Sequence, residues 1–226
     1  MPDYRMRAGD AIGQARARRR RTSRPWVTPL GLLLMLGLWA GVGLAAAVTD
    51  AEEFVRRTTE QLVAEIKPKA RQFETEPAAV YSVVERVMSE HIDLERMARW
   101  ILGKHWARAT PAQRDAFLAE FKKILIRTYS RPFVDYLVRP LSFLPARPRS
   151  EDDVAVPIQV SMTAGQTVSV QFDMHPQAST WKIHDVSVDG VSLVASYRTS
   201  YTALANKSGM DGLLEKMREL NARFDA

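Results

Sequence analysis

The amino-acid sequence predicts an α+β fold: a twisted antiparallel β-sheet of about four strands, wrapped by several α-helices. Three observations predict it. Apolar residues recur at helical spacing from position 54 to 137, the period drops to two between 154 and 174, and helical spacing returns from 197 to 224. A block of helices, a block of strands and a closing block of helices point to one sheet packed on its helices, not to alternating βαβ units.

The first helix of the folded part is expected to start at Thr49-Asp50, where side-chain oxygens and a Glu three places on satisfy free backbone N–H groups. Phe54, Thr58, Leu62 and Ile66 then mark one face up to Pro68. Pro77 suits the first turn of a second helix because its missing N–H is not needed there, and Val80, Val84, Val87 and His91 share that helix's inner face. Asp93 restarts the chain, and Leu94, Met97, Ile101 and Leu102 run to a stop at Gly103. Thr110 with Gln113 forms a capping box, and Pro111 takes the first helical position. Phe117, Phe121, Leu125 and Tyr129 follow at intervals of four. Pro132 is expected to kink or end this helix near Ser130, because its ring clashes with the carbonyl four residues back.

Val154, Val156, Ile158, Val160 and Met162 alternate, Ala164-Gly165-Gln166 turns the chain, and Val168, Val170, Phe172 and Met174 alternate back as an antiparallel hairpin. Trp181, Ile183, Val186 and Val188 give a third strand ended by Asp189-Gly190. A fourth, between Leu141 and Arg147, is held to an edge by Pro145 and Pro148. Tyr197, Tyr201 and Leu204 restore helical spacing, Ser208-Gly209 breaks it, and Leu213, Leu214, Met217, Leu220 and Phe224 make the final helix.

The first 47 residues differ from the rest. Residues 1–29 are arginine-rich, 30–44 (LGLLLMLGLWAGVGL) are uncharged and apolar, and Ala45-Ala46-Ala47 supplies small residues for cleavage after Ala47. These are the n-region, h-region and cleavage site of a secretory signal peptide, with an uncleaved membrane anchor as the competing reading. Residues 48–226 then form a single domain. Of the chain's 32 basic and 26 acidic residues, eight and two fall in 1–47, so the remaining 24 of each cancel. The formal charge of +6 belongs to the leader, and no nucleic-acid partner is expected. The chain has no cysteine, which removes disulfides and thiol chemistry.

Candidate chemistry is sparse. The four histidines, His91, His105, His175 and His184, show no metal-ligand spacing, so no metal site and no cofactor are expected. The stretch WKIHDVSVDGVSLV (181–194) sets a His beside an Asp and a Ser two places after a Gly. The second glycine of a nucleophile elbow is missing, and His184 and Asp185, adjacent on a strand, point to opposite faces. No catalytic residue is assigned. What remains is apolar surface: the aromatic stripe is either filled core or one wall of a pocket, and composition alone does not separate the two.

Two long motifs carry a resemblance. MARWILGKHWARATPAQRDAFLAEFKKILIRTY (97–129) and WKIHDVSVDGVSLVASYRTSYTALANKSGMDGLLEKM (181–217) resemble, in order, two signatures of the toluene-tolerance family. That family includes the periplasmic phospholipid-binding component of the Mla system for maintenance of outer-membrane lipid asymmetry. The resemblance implies a fold loosely similar to NTF2-like or cystatin-like domains, with an internal apolar cavity and glycerophospholipid as cargo, not cofactor. It also implies a monomeric, non-enzymatic shuttle, exchanging lipid with an outer-membrane lipoprotein–porin complex and an inner-membrane ABC transporter carrying a lipid-binding (MCE) ring. On this reading Phe117, Phe121, Leu125 and Tyr129 line the pocket from the helix side, Val160, Val170 and Phe172 from the sheet, and Val191 at the closing edge. Arg127, Lys182 and Arg198 are the basic candidates for the headgroup phosphate. An adaptor with a filled core and an enzyme on an NTF2-like scaffold are the alternatives.

Overall fold

The computed structural model describes residues 30–69, 72–73 and 76–224. The arginine-rich n-region over 1–29 lies outside the described residues. The chain divides into two compact units, Met1–Trp39 and Ala40–Ala226. In the first, residues 30–39 are helical; every other described element falls in the second. Among the described residues, no helix is long and apolar enough to cross a membrane.

Helix α1 spans Leu30–Ile66 and runs without a break through Thr49-Asp50, so the expected helix start there is not a boundary. The alanines and leucines before it are strong helix formers, and the pitch simply continues. Helix α2 (Pro77–His91) begins at the predicted proline; the side chain of Val87, expected on its inner face, lies outside the described residues. Helix α3 (Leu94–Leu102) is capped by Asp93, whose carboxylate accepts from the Arg96 amide at 2.9 Å, and stops at Gly103 with φ +50°. A short α4 (Lys104–Arg108) leads to α5 (Pro111–Leu137), which opens on both hydrogen bonds of the Thr110/Gln113 capping box.

Pro132 does not end α5, which continues to Leu137. The lost backbone bond is confined to one turn, where the Ser130 hydroxyl donates to the Ile126 carbonyl. Burial of Val134 and Leu137 beyond it holds the last turn in place.

The sheet is antiparallel, in the order β1-β3-β4-β5-β6, with β2 also paired to β3. Its long members are β3 (Val154–Ser161), β4 (Thr167–Gln177) and β5 (Thr180–Val188). β1 (Leu141–Phe143) and β2 (Arg147–Pro148) are the proline-limited edge, and β6 (Val191–Ser192) closes the other side. The extra strands beyond about four are these short edge pieces. Asp189 (φ +48°) and Gly190 (φ +81°) turn β5 into β6, and left-handed dihedrals at both central residues are what a tight type I′ hairpin requires. Helix α6 (Leu193–Phe224) is two helices joined at Gly209 (φ +71°), at the predicted break.

Three apolar clusters form. Helices α3 to α6 enclose one around Phe117, Phe121 and Tyr201. The sheet and α1 enclose a second around Val156, Val160 and Met174. Helices α1, α2 and the end of α5 hold a third around Ile66, Val84 and Leu137.

Candidate functional site

The three clusters do not close on one another. Where they meet lies a cavity of about 530 Å³, with walls drawn from all three: Leu125 and Met97 from the first, Phe54 and Val170 from the second, Leu62, Val84 and Leu137 from the third. The sheet wall follows from register. Ile158 faces Val170, which faces Val188, and Val156 faces Phe172, which faces Val186. Side chains directly opposite in neighbouring strands share a face, so these rows make a continuous apolar floor. Helices α1 and α5 cross above it with Phe54, Thr58, Leu125, Tyr129, Phe133 and Tyr136. Val191, 61% exposed, stands at the opening.

Among the described residues lining the cavity, none has a permanent charge. The polar atoms are hydroxyls and one imidazole. Ser130 is bound to the Ile126 carbonyl, and the Tyr129 and Thr128 side chains hydrogen-bond to Tyr197. Burial pushes the Tyr197 phenol well above its ordinary range, so it stays neutral. His91 packs edge-on against Phe54 at 5.1 Å, and burial holds it below the usual imidazole value, with Glu90 raising it less and Lys182 lowering it further. The wall is neutral around pH 7. Among the described residues that line it, side chains are apolar apart from those hydroxyls and the imidazole, which suits it to excluding water from apolar matter.

The aromatic stripe of α5 is divided. Leu125 and Tyr129 line the cavity, as do Val160, Val170, Phe172 and Val191. Phe117 and Phe121, expected beside them, do not: both are fully buried in the helical cluster, stacked at 5.5 Å and packed against Trp106, Tyr197 and Tyr201. The reason is length. Phe117 and Tyr129 stand twelve residues apart, roughly 18 Å along the axis. The first half of α5 therefore packs on α3, α4 and α6, and only the second half crosses the sheet.

The basic candidates are also displaced. The Arg127 guanidinium donates to the Asn221 carbonyl at 2.7 Å and lies 6.0 Å from the Phe224 ring, pinning α6 to α5. Lys182 donates to the Glu90 carbonyl, and Arg198 is exposed on α6. None of the three lines the cavity. Cavity residues not anticipated include Val55, His91, Ile92 and Leu193. The apolar faces of the first two helices were the signal for several others, Leu62 and Val84 among them.

The 181–194 stretch departs from simple alternation. A β-bulge shifts the register from Asp173↔Asp185 to Met174↔Ile183, and both His184 and Asp185 are buried, at 3% and 7% exposure. Asp185 and Ser192 do meet, but as a helix cap. The carboxylate accepts from the Ser192 hydroxyl and from the Val194 amide at 3.1 Å, at the start of α6. His184 faces Asp153 instead.

Comparison with known proteins agrees with this architecture. The family model described as MlaC protein matches residues 56–219. The chain is 24% identical over 182 residues to the toluene tolerance protein ttg2D of Pseudomonas putida, covering 80% of this chain and 84% of that one. It is 19% identical over 201 residues to the intermembrane phospholipid transport system binding protein MlaC of Haemophilus influenzae, covering 87% and 92%. A phospholipid-binding protein from Ralstonia solanacearum, solved in complex with a phospholipid, superposes with a TM-score of 0.71 at 24% identity over 78% of this chain and 99% of that one. At that identity the superposition speaks for the fold.

Proposed function

The chain belongs to the MlaC family, and we propose that it is a phospholipid-binding transport protein of the Mla system. One observation carries the reading: a cavity of about 530 Å³ with a neutral, almost wholly apolar wall. At about 24 cal/mol per Å³ of unfilled core, leaving such a space unfilled would cost on the order of 10 kcal/mol. That rivals the whole stability of an ordinary domain. A fold that keeps such a space open needs an apolar occupant. Acyl chains fit that need, since each methylene moved out of water is worth about 0.8 kcal/mol.

In the finer reading, residues 1–47 are a signal peptide cleaved after Ala47, and 48–226 is a single lipid-binding domain in the periplasm. It works as a monomer, holding glycerophospholipid chains against Leu125, Tyr129, Val160, Val170, Phe172 and Val191 with the headgroup at the opening. It exchanges that cargo with an outer-membrane lipoprotein–porin complex and an inner-membrane ABC transporter with an MCE ring, and so maintains outer-membrane lipid asymmetry. Transfer breaks no covalent bond, in keeping with a wall that is almost wholly apolar. Mass spectrometry of an organic extract of the purified protein tests the central claim. Glycerophospholipid near stoichiometry with the chain is expected; a folded protein that never yields lipid, even after incubation with vesicles, overturns it.

A further inference from the structure

Two histidines nine residues apart meet Asp153, and none of the three lines the cavity. One ligand atom from each of Asp153, His175 and His184 lies within 4.8 Å of the others. The β-bulge creates the meeting: with Asp173 opposite Asp185 and Met174 opposite Ile183, His184 is the extra residue of β5. Its ring comes to 5.6 Å from that of His175. Spacing rules do not reveal such a set, and the expectation of no metal site rested on spacing.

The polar atoms of this cluster are underused. His184 is 3% exposed, and neither of its ring nitrogens has a well-formed hydrogen bond among the described residues, although Nε2 stands 3.3 Å from Asp153 Oδ1. The Nε2 of His175 lies 3.3 Å from Asp93 Oδ2, while its Nδ1 is buried without a partner. Buried nitrogens without partners are rare in folded proteins and call for a ligand or another explanation.

We propose that Asp153, His175 and His184 bind a divalent transition-metal ion, with zinc the best match. Two imidazoles and a carboxylate suit zinc and disfavour calcium or magnesium, which take oxygen ligands. Both rings would coordinate through an unprotonated nitrogen, and each has a buried Nδ1 with no hydrogen-bond partner among the described residues. Asp93 stands behind His175 as the carboxylate that fixes a ligating ring's orientation. Arg96 donates to both Asp153 oxygens, at 2.8 and 2.7 Å. Each oxygen keeps a further lone pair, so Asp153 can hold Arg96 and the ion together, but the guanidinium charge makes this a weaker site than a closed structural one. Zinc–ligand bonds of about 2.0–2.2 Å draw the three donors closer than they stand, by small side-chain rotations. The ion would join the loop before β3 to β4 and β5, beside the start of α3.

Trp100 supplies the readout, because its ring lies 5.2 Å from that of His184. The full chain, stripped with chelator, is titrated with ZnCl₂ by calorimetry and with CuCl₂ by tryptophan fluorescence. One zinc ion per chain, a rise in Tm with zinc, and copper quenching that is weakened in Trp100→Phe are expected. His175→Asn and His184→Gln should each weaken zinc binding by about tenfold or more, while His105→Asn, a histidine bonded to Asn206 elsewhere, leaves it unchanged. If His184→Gln does not fold, His175→Asn decides alone. Absence of zinc binding by the wild type, or wild-type affinity in His175→Asn, overturns the site.

Discussion

The hydroxyl of Ser192 donates to the carboxylate of Asp185, seven residues back across the β5–β6 turn. The same carboxylate accepts from the amides of Val186 at 2.8 Å and Val194 at 3.1 Å, and Ser192 Oγ accepts from Ala195 at 3.0 Å. One buried acid therefore caps α6 and ties that helix to the sheet. Asp185→Ala should cost about 2–3 kcal/mol, since a cap is worth about 1 kcal/mol and a hydrogen bond to a charged group somewhat more. Urea denaturation measures it. A loss under 0.5 kcal/mol on this scale would remove Asp185 from that role.

The divided stripe of α5 predicts two separable phenotypes. Phe121→Ala should lose about 3–5 kcal/mol of stability, the usual range for a fully buried phenylalanine, while retaining co-purified lipid under mild conditions. Val191→Asp at the opening should do the reverse, with lipid content falling sharply and the melting temperature of the lipid-free protein near normal. Leu125→Glu tests the deeper wall. Lipid recovery and circular dichroism measured together decide; full lipid content in a folded Val191→Asp protein contradicts the placement of the opening.

Arg127 makes its contribution inside the fold. Its bond to the Asn221 carbonyl, beside the Asn221 amide that donates to Glu120 at 2.6 Å, fastens the second half of α6 to α5. Arg127→Ala should lower stability by about 1–2 kcal/mol, as for a partly exposed charge-assisted bond, and leave the selection of lipid headgroups unaltered. A changed headgroup profile by mass spectrometry, with stability intact, would reinstate Arg127 as a headgroup ligand.

His91 predicts an acid-sensitive wall. Its folded pKa lies below the unfolded value of about 6.5. Above 6.5 the ring is neutral in both states, and its contribution to stability is fully present. As pH falls from 6.5 through the folded value, the unfolded chain takes the proton first and stability declines. Charge arriving on a cavity wall should also loosen bound lipid. Stability taken from denaturation curves should fall more steeply between pH 8 and 5 for wild type than for His91→Phe; parallel profiles would show that His91 has no part in it.

Local features were the readable ones. The Thr110/Gln113 box, the stops at Gly103 and Gly209, and the Asp189-Gly190 turn each depend on a few adjacent residues, and each stands where expected. Pro132 misled because a local rule met distant packing: buried Val134 and Leu137 keep the helix going past it. Phe117 and Tyr129 share a stripe but not a neighbour, since periodicity gives a direction around a helix and says nothing of what lies opposite at each height. His175, His184 and Asp153 were invisible together because a one-residue bulge, which leaves alternation otherwise intact, brings them into one cluster. The cavity was implied by the family resemblance and not by composition, because the residues that line a void are those that would fill one.

A wall of hydrocarbon with a few hydroxyls and one imidazole has few features by which to distinguish one acyl chain from another. With almost no directional bonds to break, departure of an acyl chain should follow simple partitioning. At about 0.8 kcal/mol per methylene, each carbon added to the cargo lengthens its stay about fourfold, until the chain outgrows the space. Residence time would then act as a ruler of chain length, and a partner that extracts cargo needs only to present a slightly better solvent.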